Sequence, residues 1–149
     1  MSVGEYCTRD VIIMRGDESV AAAAKLMREQ HIGDVVLVED RGDVRRPTGI
    51  VTDRDLVVEV MATGLQAETL ALRDIVTESA YLVREDDSLF DALELMRHQA
   101  VRRVPVVDDA GDLVGLIAVD DVIGLLAEML DDLAAVVERQ REREQARRP

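Results

Sequence analysis

Gly49-Ile50-Val51-Thr52-Asp53-Arg54-Asp55 and Gly115-Leu116-Ile117-Ala118-Val119-Asp120-Asp121 are one segment written twice. In each, a glycine opens a short apolar strand, a small residue closes it, and an aspartate three positions later begins a helix. Outward from this segment the duplication covers most of the chain. Val3 to Glu39 overlies Leu72 to Asp108 at an offset of 69 without a gap, and after a three-residue difference in a turn the register resumes at 66. Thr8 meets Thr77, Arg15 meets Arg84, Ser19 meets Ser88, and Leu26-Met27-Arg28 meets Leu95-Met96-Arg97. A repeat of this length is one α/β unit made twice, each copy burying its apolar face against its twin. Function is therefore expected between the copies.

Each copy reads strand, helix, strand, strand, helix. In the first, Val11 to Met14 is a short apolar run, and Asp17-Glu18-Ser19 supplies cap residues for a strongly helix-forming stretch from Val20 to Arg28. Val35 to Val38 is a continuous apolar run suited to a strand buried on both faces. Asp40 to Pro47 reads as a polar turn, Thr48 to Thr52 as the next strand, and Arg54 to Ala62 as a helix. In the second copy Tyr81 to Val83 precedes a helix that starts after Asp87-Ser88 and runs to about Gln99. Val104 to Val107 and Leu113 to Val119 are strands on either side of a turn at Asp108 to Asp112, and the last helix starts near Asp120. The predicted class is α/β: tandem β-α-β-β-α repeats with pseudo-twofold packing through their sheets. The expected organisation is a first repeat at 1–64, a linker at 65–71, a second repeat at 72–127, and a C-terminal helix extension with a polar tail at 128–149. The closing stretch Arg139 to Pro149, rich in Arg, Glu and Gln, is expected to fray.

Composition narrows the function classes. The chain has 149 residues, enough for one compact domain or two halves sharing a core. Nearly half are apolar, yet Tyr6, Tyr81 and Phe90 are the only aromatics, so the core is aliphatic. No secretory apolar region opens the sequence and no apolar run is long enough to span a bilayer. A single cysteine, Cys7, excludes an internal disulfide framework. These features predict a soluble, cytoplasmic protein that is not bound to membrane. The formal net charge of −13 repels nucleic-acid phosphates and otherwise serves solubility.

Chemistry concentrates at Thr52…Asp55 and Ala118…Asp121. A carboxylate at a helix start can accept both hydroxyls of a ribose in charge-assisted hydrogen bonds. A threonine hydroxyl and helix N-terminal N–H groups suit sugar or phosphate oxygens. The same aspartates can equally be caps for the helices they begin, and the residues alone leave both readings open. With Arg103-Val104-Pro105-Val106-Val107-Asp108 upstream, the arrangement resembles the cystathionine-β-synthase (CBS) domain, and two copies resemble a CBS pair, or Bateman module, over about Val3 to Ala127. The resemblance implies ligand binding at Asp55 in addition to any capping. It implies that the strand-to-helix aspartate of one copy works with the strand-entry segment of the other. One cleft would then use Thr52 and Asp55 with Thr77, Ala80, Tyr81 and Arg103, and a second would use Asp121, Arg102 and Arg103 with Thr8, Val11 and Gly33. Two departures from the pattern make the clefts unequal: Ala118 lacks a hydroxyl, and Asp34 stands at the position matching Arg103, where it repels phosphate. Strand alternation lets only one of Arg102 and Arg103 face a given cleft, with surface ion pairing as the other role.

No cofactor is expected to be required. The regulatory ligands implied are AMP, ADP, ATP, NAD or S-adenosylmethionine, and the partners implied are a homodimer mate and a separate effector protein. The stripe Leu126, Met129, Leu130, Leu133 and Val137 continues past what the repeat needs, on a face for its own domain or for a second chain. No enzyme activity is expected, because G-x-x-x-x-G-K-[ST], G-x-S-x-G and H-E-x-x-H do not occur and no nucleophile–base pair or metal cluster is visible. His31 and His98 fall near helix C-termini and suit those ends rather than a metal, and Asp108 to Asp112 lacks the spacing of a calcium loop. The alternative to a ligand sensor is a constitutive dimeric interaction scaffold with degenerate, ligand-free clefts.

Overall fold

The computed structural model describes residues 1–148. In chain order the elements are α1 (Val3–Tyr6), β1 (Ile13–Arg15), α2 (Val20–Gln30), β2 (Asp34–Arg41), β3 (Val44–Thr52), α3 (Asp53–Asp55) running into a π-helical stretch Leu56–Met61, α4 (Leu72–Ile75), β4 (Val83–Arg84), α5 (Leu89–Gln99), β5 (Arg103–Val107), β6 (Leu113–Ala118) and α6 (Val119–Arg147). They make an α/β fold with two three-stranded sheets of the same order, β1-β2-β3 and β4-β5-β6. The first strand of each sheet runs parallel to the second. The described residues divide into two compact units, 1–117 and 118–148.

The apolar run in β2 is buried on both faces, as its sequence predicts. Val35 and Leu37 join Met14, Val20, Ala23, Met27, Val51, Val60 and Leu72 in one cluster. Val36 and Val38, on the opposite face, join Leu113 with Val11, Ile13, Ile50 and Leu116 around them. Strand alternation thus splits four consecutive apolar residues between a helix-covered layer and a layer shared by the two sheets. Ser19 caps α2 by accepting from Ala22 N–H at 3.0 Å, and Ser88 starts α5 by accepting from Phe90 N–H at 3.2 Å.

The two copies are tied by an exchange of backbone hydrogen bonds that the repeat offset makes equivalent. Val3 N–H donates to Asp87 O and Leu72 N–H to Glu18 O, both at 2.9 Å. Gly4 N–H donates to Glu85 O at 2.8 Å and Arg73 N–H to Gly16 O at 2.9 Å. The short helices α1 and α4, which open the copies, each dock on the helix entry of the opposite copy. Four residues are too few for periodicity to reveal, and the sequence reading passes over both.

Three expectations need correction. Asp40 to Pro47 is not one turn: β2 continues to Arg41, β3 begins at Val44, and the reversal is confined to Gly42 and Asp43, with Gly42 at φ 62°. The expected helix from Arg54 to Ala62 is one α-turn followed by π-helix, in which Ala62 N–H reaches back five residues to Val57 O at 2.9 Å. The β-branched Val57, Val58 and Val60 crowd a regular helix there. The tail is helical through Arg147 rather than frayed; Pro149 lies outside the described residues. Glu, Arg, Gln and Ala all favour helix, and Glu138 with Arg141 and Glu144 with Arg147 fall at helical pair spacing.

Candidate functional site

The residues around Asp55 open into a cleft of about 370 Å³ within residues 1–117. That volume is in the range of small-molecule sites. Asp55 and Glu59 come from the end of β3 onward, Thr77, Ala80 and Tyr81 from the irregular segment after α4, and Arg103 from the start of β5. The strand-to-helix aspartate of one copy therefore shares a wall with the strand-entry segment of the other.

Asp55 is held by a reciprocal cap. Its Oδ2 accepts from Thr52 N–H at 2.8 Å, while its own N–H donates to Thr52 Oγ1 at 3.2 Å. The capping role is therefore real. It uses one carboxylate oxygen and leaves Oδ1 with no donor among the described residues. The Thr52 hydroxyl accepts in this cap and keeps its own proton to donate. Thr52 does not line the cleft; it orients the residue that does.

Of the paired arginines, Arg103 lines the cleft and Arg102 does not, as strand alternation requires. The Arg103 Nε donates to Asp34 Oδ2. Asp34 begins β2 directly opposite Thr52 in the β2–β3 ladder, so the ion pair and the Asp55 cap sit at one end of the same sheet. The two repeat-equivalent positions, 34 and 103, thus meet as acid and base.

The other expected site residues do not line this cleft. Thr8 exchanges backbone hydrogen bonds with Leu116, both at 2.9 Å. Val11 packs in the cluster between the sheets. Gly33 O accepts from Asp53 N–H at 2.9 Å. Asp121 belongs to the 118–148 unit, where its Oδ2 accepts from Ala118 N–H at 2.9 Å. Ala118 has no hydroxyl to return the cap, so this arrangement is half of the one at Asp55.

The sequence reading misses two carboxylates of the cleft, Glu59 and Glu78. The spacing of Asp55 and Glu59 was a usable signal, since residues four apart share a helix face. Glu78 lies in a segment without regular structure and offers none. Gly49 also gains a reason. A Cβ there would stand 2.7 Å from Val76 Cγ1, and at the equivalent Gly115 one would stand 2.5 Å from Cys7 Sγ. Glycine lets the segment carrying the cleft wall lie flat on the strand. A second cavity of about 540 Å³ holds Arg15, Asp40 and Arg73. There the Arg15 guanidinium, bonded to both oxygens of Asp40 at 2.8 and 3.1 Å, holds that carboxyl below its ordinary range.

A family model described as the CBS domain matches residues 3–62 and 72–128. An uncharacterised protein of Methanopyrus kandleri is 38% identical over 123 residues, spanning 83% of this chain and 61% of that protein. The chain thus corresponds to only part of that relative's length. Hypoxic response protein 1 of Mycobacterium tuberculosis is 36% identical over 111 residues, 74% of this chain and 75% of that one. A solved structure of Hypoxic Response Protein I, with two coordinated zinc ions, superposes with a TM-score of 0.71 at 32% identity over 83% of this chain and 97% of that one. A CBS domain protein of Pyrobaculum aerophilum complexed with AMP superposes with a TM-score of 0.71 at 25% identity, over 81% of this chain and 89% of that one.

Proposed function

The chain belongs to the CBS-domain family, and from that premise we propose that it is a regulatory module taking an adenosine-containing ligand in the cleft at Asp55. The observation that carries the reading is the arrangement of Asp55, which lines the cleft with Oδ2 held by the cap and Oδ1 not used in it. Ribose hydroxyls donate to that carboxylate. Thr77 and Arg103 face the sugar or its substituent, and Ala80 and Tyr81 form the wall against the base. The AMP held by the Pyrobaculum relative supports an adenine ligand here. The Asp121 set, lacking a hydroxyl at Ala118, is the weaker candidate.

Ligand orders the cleft and shifts how the two copies, or two chains, sit against one another. The module works by binding without turnover, as a homodimer that passes its signal to a separate effector. A second reading, a constitutive scaffold with ligand-free clefts, is favoured by one observation: the Arg103–Asp34 ion pair satisfies the cleft's cation internally. Native mass spectrometry of the purified protein, followed by titration with AMP, ADP, ATP, NAD and S-adenosylmethionine, separates the two. A retained nucleotide mass or saturable binding is expected. A folded, empty protein that takes none of the panel would leave the scaffold reading.

A further inference from the structure

We propose that Asp34 determines the specificity of the cleft: it is a resident counter-anion that occupies Arg103 and turns the site from phosphate chains toward nucleosides with an uncharged or cationic substituent. The inference rests on the binding reading above and adds to it the charge class of the ligand.

The argument begins with the broken symmetry of the repeat. Positions 34 and 103 are equivalent at the offset of 69, and an exact duplication would place like residues at both. Here one is acidic and one basic, and they pair across the two copies. Their side chains are 19% and 35% exposed, so solvent and salt screen this pair less than one on the open surface. Asp34 is also fixed in place, because its backbone is the first rung of the β2–β3 ladder, opposite Thr52.

The remaining charges of the cleft point the same way. Asp55, Glu59 and Glu78 line it with Arg103, giving three carboxylates and one guanidinium, and that guanidinium already carries a counter-anion, Asp34 at its Nε. A phosphate entering must draw Arg103 from Asp34, or share it, within reach of the other carboxylates. Like charges gathered in a partly desolvated site discriminate strongly against such a ligand. A neutral nucleoside reaches Asp55 Oδ1 without disturbing the ion pair. A sulfonium or ammonium substituent is attracted by Glu59 and Glu78.

Titration calorimetry of the full chain with adenosine, S-adenosylmethionine, AMP and ATP at one ionic strength tests this directly. The wild-type protein is expected to take adenosine or S-adenosylmethionine at least about tenfold more tightly than ATP. Asp34→Asn keeps a hydrogen-bonding oxygen near Arg103 but removes the competing charge. It is expected to raise the ratio of AMP to adenosine affinity about tenfold, the scale of one charge-assisted hydrogen bond. Adding Arg103→Gln to that variant should abolish the gain. A wild-type preference for ATP over both adenosine and S-adenosylmethionine, or an Asp34→Asn variant with the wild-type AMP-to-adenosine ratio, overturns the proposal while leaving ligand binding intact. Absence of binding by all four ligands, to folded wild-type protein and to Asp34→Asn alike, overturns the binding reading and this inference with it. The wild-type ranking needs no substitution, so a variant that fails to fold does not shelter the proposal.

Discussion

At the scale of single residues, Asp55 and Asp121 look alike in sequence but differ in surroundings. Each caps its helix through Oδ2, yet only Asp55 has a hydroxyl partner, Thr52, returning the bond. Asp55→Ala is expected to weaken ligand binding more than Asp121→Ala. The loss of charge-assisted hydrogen bonds worth about 1.5–3 kcal/mol corresponds to roughly ten- to a hundredfold in affinity. Asp55→Asn separates capping from binding: calorimetry should find affinity lost while the melting temperature stays near wild type. Normal binding by that variant would remove the role assigned to the carboxylate. Asp40 makes a second prediction, of pH dependence. Its folded-state pKa is lowered, first by the hydrogen bond from Arg15, so its contribution to stability is present above the unfolded carboxylate pKa and lost as pH falls through the folded one. Thermal melts of Asp40→Asn should therefore show a smaller loss of stability between neutral and acid pH than the parent. Asp55 and Arg103 were legible in the sequence because motif and offset mark them. The pairing of Arg103 with Asp34 was not: the repeat alignment superposes those positions, and only the fold shows that superposable residues also face each other.

At the scale of elements, legibility followed length and pattern. The eleven-residue helices α2 and α5 and the buried strands β2 and β5 carry caps, period and apolar runs enough to be read. The helices α1 and α4 have four residues each; Glu5 and Asp74 cap them locally by accepting from Ser2 and Ala71 N–H, and backbone bonds to the other copy add a tertiary term no local pattern contains. The π-helical turn after Asp55 escaped for a related reason, since six residues do not distinguish its period from that of an α-helix. What did mark an element contact was glycine. Gly49 and Gly115 sit where β3 and β6 receive Val76 and Cys7 at distances that leave no room for a Cβ. Gly49→Ala is expected to destabilise the protein by about 1–3 kcal/mol through overpacking. Val76→Ala should recover part of that loss when combined with it, giving a coupling energy measurable by urea unfolding of the four members of a double-mutant cycle. Additive effects would show that the strand and the segment bearing the cleft wall do not press on each other.

At the scale of the whole molecule, the duplication was visible as an offset, and the apolar faces left over were visible as a stripe. Val57 and its repeat equivalent Ile123 are both exposed, at 52% and 56%. Leu130 and Leu133 are 66% and 62% exposed, on a helix that runs twenty residues or more beyond the repeat's last strand. Burial of such side chains is worth about 25 cal/mol per Å² of apolar surface, so a face of this length is costly to leave in water. We therefore expect a homodimer whose contact includes the apolar stripe of α6. The net charge of −13 opposes association at long range, while the stripe supplies an apolar centre. Dimerisation should accordingly strengthen as salt screens the repulsion, over a Debye length of about 10 Å at 0.1 M. Light scattering after size exclusion, repeated across ionic strengths, reads both the state and its salt dependence. Met129→Glu with Leu133→Glu places two charges per chain in the apolar stripe and should shift the protein to monomer without lowering its helix content. A dimer indifferent to both substitutions would place the interface on another face, and a monomeric parent at every salt concentration would leave the stripe without a second copy to cover it.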